Sequence, residues 1–98
     1  MANYRIVLRC IGLSDREVLE APEDILEGFS HRPWHENVSC RWDGEHLWLA
    51  AENDYDHTGG ALLDEFWDEV TANVNWEGPI RFEIVTVSII GNDLNGTT

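Results

Sequence analysis

The chain contains no lysine. Its basic complement is six arginines, set against 19 aspartates and glutamates, for a net charge of -13. A field of that sign repels phosphate backbones and anionic headgroups, so neither nucleic acid nor a membrane surface is expected as a partner. Cysteine is scarce as well: Cys10 and Cys40 are too few for a disulfide scaffold and are not arranged as a zinc site. Both sit inside apolar alternation, where a thiol behaves as a small buried hydrophobe. No apolar run approaches the roughly 20 residues a helix needs to span a bilayer. The start, from Met1 to Leu8, lacks the basic segment, long apolar stretch and small-residue cleavage site of a secretory leader, and the expected location is cytoplasmic. There the sequons at Asn37 and Asn95 carry no glycan.

Catalytic signatures are missing too. Ser14, Ser30, Ser39 and Ser88 have no recognisable nucleophile context, and no glycine-rich phosphate loop occurs. Carboxylates are so dense that their adjacency implies no tuned pKa. The expectation is a chain that is not an enzyme.

What is present supports one folded domain. The chain has 98 residues, 43% of them hydrophobic, enough for a single modest core. Tyr4, Ile6, Leu8 and Cys10 alternate with Arg5, Val7 and Arg9, the period of a half-buried strand. Ser14-Asp15-Arg16-Glu17 has a capping-box pattern, and Pro22 suits the first position of a helix burying Ile25, Leu26 and Phe29. Trp42-Asp43-Gly44-Glu45 places Asp-Gly between two alternating runs, as in a two-residue hairpin turn. Pairing about that turn sets Arg41 opposite His46, Cys40 opposite Leu47 and Ser39 opposite Trp48. From Thr58 to Val74, Leu62, Leu63, Phe66, Trp67, Val70 and Val74 form a helical stripe, with Asp64, Glu65, Asp68 and Glu69 outside. After the turn at Trp76-Glu77-Gly78-Pro79, a last strand runs from Ile80 to Ile90. Residues 1–91 then form a single α+β domain and 92–98 a flexible C-terminal tail. The order is that of the ferredoxin-like β-α-β-β-α-β sandwich, an antiparallel four-stranded sheet in the order 4-1-3-2 with two helices on one face. Many unrelated functions use that architecture.

Its functional interest lies in the face the helices leave open. Alternation sends Arg5, Val7 and Arg9 there from the first strand, and Ser39 and Arg41 from the second. The third adds His46, Trp48 and Glu52, and the fourth Arg81, Glu83 and Val85. Four of the six arginines lie on this face with two glutamates, a local charge of +2 on a chain of -13. Arg5, Arg9, Arg41, His46, Trp48 and Arg81 are the candidate partner-binding residues, because arginine and tryptophan dominate interface hot spots. The face serves either a homodimer packed sheet on sheet or a separate protein partner. The plain alternative is a solvated face with cross-strand ion pairs. RNA-recognition domains share the topology, but His46-Leu47-Trp48-Leu49-Ala50-Ala51 lacks their aromatic-glycine pattern. The acidity itself either steers a basic target, as in small inhibitors and toxin-neutralising proteins, or serves solubility alone in a salt-adapted or arginine-biased proteome.

A second candidate is the stretch Asp54 to Glu65, which resembles the twelve-residue calcium loop of EF-hand proteins. Asp54, Asp56 and Thr58 stand at positions 1, 3 and 5, Gly59 at position 6 and Glu65 at position 12. Such a loop would make the chain a small-ligand or calcium-binding regulatory domain; no other cofactor is expected. The resemblance covers these residues only, and the entering element is a strand. Ordinary helix-start chemistry, with Asp56 or Thr58 as a cap, accounts for the same residues. His31-Arg32-Pro33-Trp34-His35-Glu36 offers two imidazoles, but Pro33 breaks the helical spacing zinc would need, and the segment reads as a polar loop.

Overall fold

A computed structural model describes residues 2–90; the tail expected at 92–98 lies outside them. The elements are β1 (Tyr4–Ile11), α1 (Ala21–Phe29), β2 (Glu36–Trp42), β3 (His46–Asn53), α2 (Gly60–Asn73) and β4 (Arg81–Ile89). Every neighbouring pair of strands is antiparallel, in the order β2-β3-β1-β4. Read from the β4 edge, this is the order set out above, with two helices completing the α+β fold.

One side of the sheet makes the core. Ile6, Leu8 and Cys10 of β1 and Leu47, Leu49 and Ala51 of β3 are fully buried against Ile25 and Phe29 of α1 and Leu62, Phe66 and Val70 of α2. Val38, Cys40 and Trp42 extend this layer along β2, and Phe82 and Val87 along β4. Desolvation in that core pushes both thiols up to about 12, which keeps them neutral and inert.

Local details depart from the sequence expectations in four places. Helix α1 begins at Ala21, so Pro22 takes the second position, where its missing N–H is still unneeded. The Ser14 box closes through backbone: Glu17 accepts from Ser14 N–H at 2.9 Å, and Glu17 N–H donates to the Ser14 carbonyl, not to its hydroxyl.

The hairpin turn is displaced by one residue. Asp43 pairs with His46 through its N–H, leaving Gly44 and Glu45 as the turn, with Gly44 alone at positive φ (95°). Ser39 therefore pairs with Ala50, Cys40 with Leu49, Arg41 with Trp48 and Trp42 with Leu47. Each partner moves by two residues, an even shift, so every side chain keeps its face. The cause is the Asp43 carboxylate. It accepts from Glu45 N–H (2.8 Å), His46 N–H (2.7 Å) and the Trp48 indole N–H (2.7 Å), and so fixes the bend one residue late.

On β4, Leu8 pairs with Ile84 but Val7 pairs with Thr86. Val85 is the extra residue of a bulge, and beyond it the faces swap, so Thr86 and Ser88 join the side of Val7 and Arg5.

Candidate functional site

Both helices pack on the core side. Among the described residues no element covers the opposite side, which carries Arg5, Val7, Arg9 and Ile11, Ser39 and Arg41, His46, Trp48 and Glu52, and Arg81 and Glu83. All six residues singled out for partner binding therefore share one uncovered face.

Its centre is Trp48. The register sets Arg9 beside it on β1 and Arg41 beside it on β2. The two guanidinium carbons stand 5.6 and 5.7 Å from the ring centroid, close enough for cation–π attraction from both neighbours. His46 meets the indole edge-on at 6.1 Å. With its N–H held by Asp43, the half-buried indole is fixed in position before any partner arrives. Three of the surrounding arginines are paired, in contacts that water still reaches. Arg9 Nε donates to Glu83 at 2.7 Å, Arg81 lies 3.4 Å from the same carboxylate, and Arg5 donates to Glu52 at 3.2 Å. The Arg9 bond holds the Glu83 carboxyl below the usual carboxylate range. Such pairs add little stability in water. They do order the arginines, with Asn37 tying Glu52 from the β2 edge at 2.8 Å.

The Asp54–Glu65 segment is organised differently from a cation loop. Asp56 is buried and its carboxylate accepts the amides of Gly59 (3.0 Å), Ala61 (3.2 Å) and Leu62 (2.8 Å) at the start of α2. Thr58 Oγ1 accepts from Gly60 N–H at 3.2 Å. Glu65 turns away, to His35 and Arg32, and Asp54 is exposed. The four oxygen donors do not converge, and among the described residues no three His, Cys, Asp or Glu side chains are grouped as metal ligands. What occupies the segment is a helix cap.

Sequence reasoning missed a second polar cluster. His35, placed above in a polar loop, is buried beneath α2, ringed by Phe29, Trp34 and Tyr55 at centroid distances of 5.8, 5.9 and 6.3 Å. Asn53 Oδ1 accepts from the amides of Tyr55 (3.1 Å) and Asp56 (2.8 Å), so its amide nitrogen must face His35 Nδ1, 3.3 Å away. A donor there requires Nδ1 to be unprotonated. Nε2 then carries the proton and donates it to Glu65 at 2.5 Å. Arg32 completes the chain, 2.7 Å from Glu69 and 3.8 Å from Glu65. Glu65 and Glu69, expected on the outer face of α2, thus face the α1–β2 connection. The only hint in sequence was the coincidence of Arg32 and His35 with two acids one helical turn apart.

No protein-family model matches the chain, and no match was found among curated proteins or solved structures.

Proposed function

We propose that this chain is a non-catalytic docking module that holds a partner protein against its uncovered sheet face. The observation that carries the reading is Trp48 locked between the guanidiniums of Arg9 and Arg41 on that face. A preordered indole flanked by arginines is the composition of an interface hot spot, and it pays little ordering entropy on binding. Arginine forks select a partner surface that bears carboxylates or backbone carbonyls. The neutral buried thiols, the enclosed His35 imidazole and the capping duty of Asp56 support a binding role, since each reactive group is already committed.

The remaining acidic surface orients the encounter. A basic target, as a toxin-neutralising role would need, is drawn to the helical side instead, and that association weakens steeply as salt rises. Two variants separate these alternatives in native complexes resolved by size-exclusion of cell extract. Trp48→Asp should release the partner, weakening binding by about 30-fold or more if Trp48 is a hot spot. Asp64→Arg/Asp68→Arg on the exposed side of α2 should leave it bound. The reverse pattern would assign binding to the helices and refute the sheet-face reading.

A further inference from the structure

The two edges of the sheet are built differently. Edge β2 is guarded: its register slips between Glu36 and Ser39, Asn37 sits at φ 50°, and Glu36 and Arg41 are exposed. Broken pairing and charge are how soluble proteins blunt an edge. Edge β4 carries Arg81 and Glu83 at its start and one bulge at Val85, and among the described residues nothing else protects it. From Ile84 to Ile90 it carries no charged residue, in a chain that is 26% charged. Ile84, Val85 and Ile89 are 41%, 40% and 86% exposed. The aromatic cover from α2 ends at Phe82, which meets Phe66 and Trp67 at 5.3 and 5.2 Å. The bulge at Val85 interrupts the strand once, and Thr86 to Ile89 continue beyond it in regular pairing with β1.

We propose that β4 is a pairing edge for a second copy of this chain, joined antiparallel about a twofold axis into one eight-stranded sheet. An open strand edge offers rows of N–H and C=O groups that another strand satisfies best. A copy of the chain supplies the matching strand: uncharged, rich in Ile, Val and Thr, and able to lie against Ile84, Val85 and Ile89 without burying a charge. A basic segment would be drawn by the net charge of -13, yet it would set its cations against those apolar side chains. The twofold also closes the assembly at two copies and removes the aggregation-prone edge. The uncovered faces of both copies then run on continuously, which doubles the Trp48 surface. The inference stands apart from the docking role, because it concerns an edge, not a face.

Sedimentation of the full chain tests it. The wild type should form a dimer of twice 11.2 kDa, and association should tighten with added salt, which screens the repulsion between two acidic bodies. Val85→Lys/Ile89→Lys, with an unchanged circular dichroism spectrum, should weaken dimerisation at least about tenfold by setting like charges across the pair. Trp48→Asp should dimerise as the wild type does. A wild type that stays monomeric up to about 1 mM in high salt overturns the proposal. So does a folded edge variant that dimerises normally, or a dimer lost to Trp48→Asp instead. Should the edge variant fail to fold, mixed-isotope NMR of the wild type decides: contacts between copies along 84–90 support pairing, and contacts elsewhere refute it.

Discussion

Asp43 shows how much one side chain determines here. Its three donors hold the carboxyl at about 2, chiefly through the His46 amide and then the Trp48 indole. A folded-state pKa below the unfolded value stabilises the protein above the unfolded pKa, near 4, and that contribution is lost as pH falls toward 2. Glu17, lowered mainly by the Ser14 amide, and Glu83, lowered mainly by Arg9, act in the same direction. The melting temperature should therefore be level above about pH 5 and decline between about pH 4 and 2. Asp43→Asn should start lower and decline less steeply. Cys10 and Cys40 make a separate expectation. Buried and held near 12, they should resist thiol reagents at pH 8 in the folded protein and react at once in denaturant. Their burial was legible, since both sit in period-two runs. The burial of His35 was not. A lone imidazole between Pro33 and β2 looks like any loop residue until α2 is laid over it. Imidazole nitrogen shifts should report the Nε2–H form, and Asn53→Ala, which orphans His35 Nδ1 and two amides, should cost about 2–4 kcal/mol in urea unfolding.

Among the elements, α2 depends on how its start is capped. Gly59 lies at φ 83°, and a Cβ there would meet Ile84 and Val87 of β4 at 3.2 and 3.3 Å and Ile6 of β1 at 3.4 Å. Gly59→Ala should therefore lose about 1–3 kcal/mol from backbone strain alone. Asp56→Ala, which strips three amides of their acceptor, should lose about 2 kcal/mol. Either loss would appear as a lower urea midpoint with unchanged slope. The acid-glycine spacing from Asp54 to Glu65 is compatible with a cation loop or a cap, and sequence spacing cannot separate them. In the fold, Asp56 is aimed at amides and Glu65 at His35. Strand faces were readable because alternation survives an even change of register. The one-residue displacement of the hairpin turn was hidden in the contacts of Asp43, and the bulge at Val85 in the pairing of β4 with β1.

Across the whole molecule, the arrangement that matters is a charge division. Arg5, Arg9, Arg41 and Arg81 gather on the uncovered side of the sheet. Of the remaining two arginines, Arg32 is engaged by Glu65 and Glu69 against α2. Composition announced the excess of acid, and strand periodicity placed the arginines opposite it. The nature of the partner lies beyond both, because a docking surface specifies complementary chemistry and not an identity. The most direct measurement is site-specific photo-crosslinking in the native cell, with the reactive side chain at Ser39 on the uncovered face or at Asp68 on α2. A discrete protein adduct from Ser39, absent from Asp68 and lost when Trp48→Asp is added, is the predicted result. Adducts from Asp68 alone, or a Ser39 adduct indifferent to Trp48, would contradict the account.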